Sequence, residues 1–136
     1  MQKCATLLIV GLLASTRCFG QSQTAMNMEA GAAYRKADQE LNRTYQQILK
    51  EYRADVVFLQ RLKAAQKLWV QFRDAEMKAR YPAANPQLEY GSVYSLCYSN
   101  GLEELTKART QQLRLWLTGI PEGDVCTGSV KMVRGR

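Results

Sequence analysis

Residues 34–53, YRKADQELNRTYQQILKEYR, set Tyr34, Ala37, Leu41, Tyr45, Ile48 and Tyr52 apart by steps of three and four. An α-helix turns once in 3.6 residues, so these side chains fall on one face and the charged ones on the other. No Pro interrupts the stretch, no Gly follows Gly31, and Asn27 upstream is placed to cap the first turn. A helix with one apolar face must lay it against something, and the rest of the chain supplies two further helices.

Downstream, Phe58, Leu62, Ala65, Trp69 and Phe72 repeat with the same period, and Asp55 stands where an N-cap is needed. The boundary at 54–57 carries neither Gly nor Pro, so one bent helix is the alternative. Pro82 forces Tyr81 out of the helical region, and 82–90 (PAANPQLEY) reads as a loop. A third helix opens near Gly91–Ser92 with Ser92 as cap. It carries Leu105, Ala108, Gln112, Leu113 and Trp116, and stops at Gly119 and Pro121. Asn100–Gly101 weakens its middle by about 1 kcal/mol relative to Ala, which allows a kink or a late start. The predicted fold is all-α, a small antiparallel bundle of three main helices with an irregular C-terminal tail.

Residues 1–20 read as a secretory signal peptide. Lys3 supplies a basic start, 5–14 (ATLLIVGLLA) an apolar run, and Gly20 a small residue before a cut at Gln21. About ten apolar residues are too few to span a bilayer, which needs roughly 20. The alternatives are a core helix starting at Met1, or a lipoprotein, for which Arg17 before Cys18 is poorly suited. The organisation is then 1–20 signal peptide, 21–118 helical domain and 119–136 irregular basic tail. Localisation is periplasmic or secreted, with no stable membrane insertion after cleavage.

Removing 1–20 takes away Lys3 and Arg17 and no acid, so 17 of the 19 basic residues remain against 12 acidic ones, a net +5. Lys131, Arg134 and Arg136 form a basic cluster without acidic neighbours in the tail. This balance admits an anionic envelope polymer as partner; nucleic acid does not fit an exported chain. Of four cysteines, Cys97 and Cys126 remain after cleavage, and an even count in an exported protein suggests a disulfide. The reach is strained. An unbroken helix puts Cys97 about 32 Å from Thr118, and eight tail residues span at most about 27 Å. Intermolecular pairing and free thiols are the alternatives.

Polar residues interrupt the apolar faces. Gln66, Arg73 and Glu76 align with Leu62 and Trp69; Asp38 and Asn42 adjoin Leu41; Arg109 lies one turn from Leu105 and Leu113. A buried Arg without a carboxylate costs several kcal/mol. The expectation is one cluster across the bundle, with Asp38 accepting from Arg73 or Arg109, and Asn42 and Gln66 completing it. Such a cluster reads as a device fixing helix register, with a binding site as the alternative.

Catalytic chemistry has little to work with. The chain has no histidine, which removes the commonest general base, the usual triads and most zinc sites. It has no C-x-x-C, phosphate loop or G-x-G-x-x-G. The reading is a binding protein without cofactor or metal, not an enzyme.

Asp38 with Leu41–Asn42, Gln66 with Trp69, Phe72–Arg73–Asp74, Gly91–Ser92, and Thr106 with Arg109 and Leu113 together resemble the LprI family of lysozyme inhibitors. The resemblance covers about 26–117 and makes Leu41, Trp69, Asp74 and Leu113 the motif core. It implies a small helical exported domain with lysozyme as protein partner. The family's usual cysteine positions hold Glu29, Met77 and about Gly101 here, so its bridges do not carry over. Animal-type lysozymes are themselves basic, so a basic inhibitor needs a local acidic patch; Glu103, Glu104, Glu122 and Asp124 are the candidates. The alternative function is an envelope interaction or immunity protein. It would bind an effector or an anionic polymer through the Lys/Arg faces and Tyr90, Tyr94 and Tyr98, which step by four.

Overall fold

The computed structural model describes residues 16–123 and 125–133, with side chains from 22 onward. The signal-peptide reading of 1–20 therefore lies largely outside the described residues, as do Asp124, Arg134 and Arg136. The chain is mostly helical. Helix α1 (Thr16–Glu51), α2 (Val56–Arg80), the short α3 (Pro86–Tyr90) and α4 (Tyr94–Thr118) follow in order, with a 3-10 turn at Gly91–Val93. Strands β1 (Ile120–Pro121) and β2 (Met132–Val133) close the chain.

Helix α1 buries Ala30, Ala37, Leu41, Thr44 and Ile48, the 3.6-residue repeat of its sequence. It runs unbroken from Thr16, so Asn27 does not cap it. Residues 21–30 hold no helix breaker, and Asn27 instead donates from Nδ2 to the Ser92 carbonyl at 3.3 Å. The break after α1 is real. Asp55 caps α2 by accepting from the Phe58 N–H at 3.0 Å, which rules out one bent helix.

Between α2 and α4, the expected loop contains α3. Asn85 accepts from the Leu88 N–H and Pro86 stands in the first turn, a cap-then-Pro signal that favours helix entry. Ser92 falls inside the 3-10 turn and does not cap α4. Helix α4 runs unbroken through Gly101. Gly101 is buried, and a Cβ there would stand 2.8 Å from Cε of Met77. The glycine is what lets α2 and α4 approach, which offsets its poor helix propensity.

The core is Leu41, Ile48, Leu62 and Leu113, with Tyr45, Tyr52, Phe58, Trp69 and Trp116 packed around it. Each fully buried aliphatic side chain contributes about 1.5–3 kcal/mol. The interface of α1 with α4 is the most extensive. Contacts along it run Asn27–Ser92, Glu40–Arg114 and Tyr52–Trp116. Those of α2 with α4 run the other way: Phe58–Trp116, Gln66–Arg109, Met77–Gly101.

Four residues expected on buried stripes are exposed: Ala65, Phe72, Ala108 and Gln112. On α4 their places are taken by Thr106 and Thr110, which are slim enough for close packing. The Thr110 hydroxyl donates to the Thr106 carbonyl at 2.9 Å, whereas the Thr106 hydroxyl has no hydrogen-bond partner among the described residues.

The tail is less irregular than its composition suggests. The N–H of Ile120 donates to Lys131 and that of Glu122 to Val133, a short parallel pairing. Gly119 turns the chain at φ 81°, where a Cβ would meet the Lys131 carbonyl at 2.7 Å. Lys131 Nζ contacts Glu51 Oε1 at 2.6 Å, so it is not an unopposed cation. These ties hold the tail at the C-terminal ends of α1 and α4. Cys97 lies near the other end of an unbroken α4, and no disulfide joins it to Cys126; both thiols are exposed.

Candidate functional site

The inner face of α2 presents Leu62, Gln66, Trp69, Arg73 and Met77 at helical spacing, so apolar and polar groups alternate along the seam with α4. The structure divides the expected polar cluster in two. In the first group Arg73, its side chain 12% exposed, lies 3.7 Å from Asp38. Its Nε and Nη2 both donate to Asp74 Oδ1 at 3.0 Å. The Arg73 guanidinium also sits 5.4 Å from the Trp69 ring centre, a cation–π contact. Asn42 donates to the other Asp38 oxygen at 3.1 Å. Tyr34 adjoins this group, and burial raises its phenol above the ordinary 10.0, with Arg73 acting in the opposite sense.

The second group lies two to three turns away. Arg109 donates from Nε to Gln66 Oε1 at 3.0 Å and from Nη1 to Gln112 Oε1 at 3.1 Å. Both acceptors are neutral amides. No ion pair with a carboxylate forms at Arg109 among the described residues. Burial lowers its pKa below the ordinary guanidinium range, as it must for a cation withdrawn from water without an anion. The two groups stay apart because Gln66 and Arg73 are seven residues distant on α2, about 10 Å along the axis.

A groove of about 590 Å³ opens beside Arg109, walled by Phe58, Leu62, Ala65 and Trp116 and by Arg61 and Asp55. Phe58 and Trp116 pack at a 44° tilt with ring centres 4.5 Å apart, and Tyr52 meets Trp116 edge-on at 6.1 Å. The Tyr52 hydroxyl donates to the Trp116 carbonyl at 2.7 Å, which fixes the groove floor to α1.

At the far end of the seam, Tyr90, Tyr94 and Tyr98 surround Tyr81, their ring centres 5.4, 5.2 and 5.9 Å from its own. These half-buried rings pack the 81–93 connection onto α4. Burial raises the phenols of Tyr81 and Tyr98.

The four candidate acids do not converge. Glu103 pairs with Lys107 at 2.6 Å, and Glu104 lies 4.0 Å from Arg80. Glu122 stands beyond the end of α4, and the helix between Glu104 and Thr118 is about 21 Å long. Asp124 is outside the described residues. Of the motif core, Leu41 and Leu113 are buried, Trp69 is half-buried, and Asp74 is an exposed partner of Arg73. The shared motif is thus mostly the joint between helices.

One exposed feature was not singled out from the sequence. Val57, Leu68 and Phe72 are 67%, 65% and 56% exposed, and they lie along one flank of α2 beside its inner face. Their spacings of eleven and four are helical, so a second apolar stripe was legible. Of the three, only Phe72 stands in the stripe predicted for α2, because its step of three from Trp69 also fits the buried face. Among the described residues, no group of His, Cys, Asp and Glu is placed to hold a metal ion. No described helix is long and apolar enough to cross a membrane.

The family profile described as "Lysozyme inhibitor LprI" matches residues 17–113. An uncharacterized protein of Rhizobium meliloti (strain 1021) is 33% identical over 104 residues, which cover 68% of this chain and 72% of the relative. No solved structure matches.

Proposed function

The chain belongs to the LprI family, and on that premise we propose that it is an exported binding protein, not an enzyme, that inhibits lysozyme. The observation that carries this reading is the extent of the family match, which takes in α1, α2 and most of α4. The helical segments serve as a rigid up-down-up bundle that presents a surface to its partner.

The flank of α2 is that surface. An exposed stripe of Leu68, Phe72 and Val57 is what a soluble protein keeps when it has something to dock. It also answers the electrostatic objection. A basic chain and a basic lysozyme repel at long range, but an apolar contact requires no opposite charge. Glu103 and Glu104, already engaged with Lys107 and Arg80, supply less free negative charge than their sequence suggests.

The test is inhibition of bacterial wall lysis by purified chain. Leu68→Ser with Phe72→Ser should weaken inhibition at least tenfold with the helical circular dichroism retained. Changing Glu103, Glu104, Glu122 and Asp124 together to Ala should weaken it far less. No inhibition by the unaltered chain would refute the function, and full inhibition by the serine variant would refute the surface.

A further inference from the structure

The groove beside Arg109 meets the proposed lysozyme contact only at Val57, on its rim, and its chemistry is unusual for a structural joint. Its walls are apolar: the rings of Phe58 and Trp116, with Leu62 and Ala65. Set into them are two guanidinium groups, Arg61 and Arg109, and neither pairs with a carboxylate among the described residues. A guanidinium has five N–H donors in a planar fork. Arg109 uses one on Gln66 and one on Gln112, which leaves the Nη2 pair uncommitted. Asp55 is the carboxylate in the lining, and it stands at the opposite end, capping α2 at Phe58.

These features give the groove a direction. From Asp55 to Ala65 it extends about 15 Å along α2. Arg109 stands at one end, opposite Gln66, the aromatic end is at Phe58 and Trp116, and Arg61 lies between them along α2. A volume of about 590 Å³ lies within the range of small-molecule sites.

We propose that this groove binds a single-chain carboxylate amphiphile of the fatty-acid class. The headgroup lies against Arg109 and Arg61, and the chain runs over Leu62 toward Phe58 and Trp116. The ligand supplies the anion that the half-buried guanidinium lacks, and its chain covers apolar wall that water now touches. Asp55 sets the orientation by repelling a carboxylate from the aromatic end. A headgroup without a chain, or a chain without a charge, satisfies only half of the groove.

The test is isothermal titration calorimetry of the full chain with decanoate, with decanol and acetate as controls. Decanoate should bind saturably at one site, with decanol and acetate at least tenfold weaker. Arg61→Gln and Arg109→Gln should each weaken decanoate at least tenfold, and Arg109→Lys should restore part of the loss. Arg61 is exposed, so its variant reports on binding even where Arg109→Gln disturbs folding. Decanol binding as tightly as decanoate, no saturable decanoate binding, or unchanged affinity in Arg61→Gln would each overturn the assignment. None of these results bears on whether lysozyme is inhibited.

Discussion

The seam between α2 and α4 has a tight half and an open half, and an arginine marks each. In the tight half Arg73 is held by Asp38, Asp74 and the Trp69 ring, and one turn on, Met77 presses against Gly101. In the open half Arg109 has only amides, and a groove opens beside it. The same sequence feature, an Arg on a buried stripe, thus serves as a clamp in one place and as an unsatisfied charge in the other. What differs is whether a carboxylate lies within reach on a neighbouring turn.

The largest expected effect is at the clamp. Arg73→Met should cost about 2 kcal/mol in chemical denaturation, from a lost cation–π contact and two ion pairs. The figure stays small because Asp38 and Asp74 are 39% and 51% exposed and can rehydrate. Arg109→Met should instead lie within about 1 kcal/mol of the parent, on the stabilising side, because it removes a half-buried cation that has no carboxylate partner. Equal losses at both sites would erase the distinction.

Gly101→Ala comes next, at about 1–2 kcal/mol destabilising. Its gain of up to about 1 kcal/mol in helix propensity is outweighed by displacement of the fully buried Met77. Ala65→Leu, on the groove wall, should change stability by less than about 0.5 kcal/mol.

Converting one half into the other is a sharper test. Gln66→Glu would give Arg109 the carboxylate it lacks, stabilising by about 1 kcal/mol at neutral pH. Pairing with Arg109 would depress the folded pKa of the new Glu. The gain would therefore be present above its unfolded pKa, about 4.3, and lost as pH falls through the lower folded value. Decanoate binding should vanish in the same variant. Loss of stability instead would mean that Arg109 is already satisfied.

These two halves also mark how far the sequence could be read. The stripe of α1 and the cap at Asp55 were legible because each depends on neighbours within a turn. The residues of the polar seam were legible too, but not their division, because which Arg meets which acid depends on the relative rotation of the helices. Gly101 read as a weak point in a helix and is instead a contact point, since its reason lies on α2 at Met77. The bridge from Cys97 to Cys126 failed because pairing within the tail, between Ile120 and Lys131, anchors it at the far end of α4. The acids at 103, 104 and 122 were grouped by sequence proximity, and the intervening helix separates them.

The smallest effect is at the tyrosines. Burial raises the phenols of Tyr34, Tyr45, Tyr52, Tyr81 and Tyr98 above 10.0. A raised folded pKa contributes stability that is complete below the unfolded value near 10 and is lost as pH rises through the folded one. Stability should therefore be insensitive to these groups up to about pH 9 and decline above 10. Ultraviolet titration should show Tyr81 and Tyr98 ionising late, and Tyr98 earlier in a Tyr94→Phe variant, which removes a neighbouring phenolate.

Hydrogen exchange of the chain with and without lysozyme tests the central claim most directly. The account predicts that lysozyme slows exchange along α2 around Leu68 and Phe72 and leaves the turns near Glu103 and Glu104 unchanged. Exchange unaffected by saturating lysozyme, or protection confined to the acidic turns of α4, would contradict it.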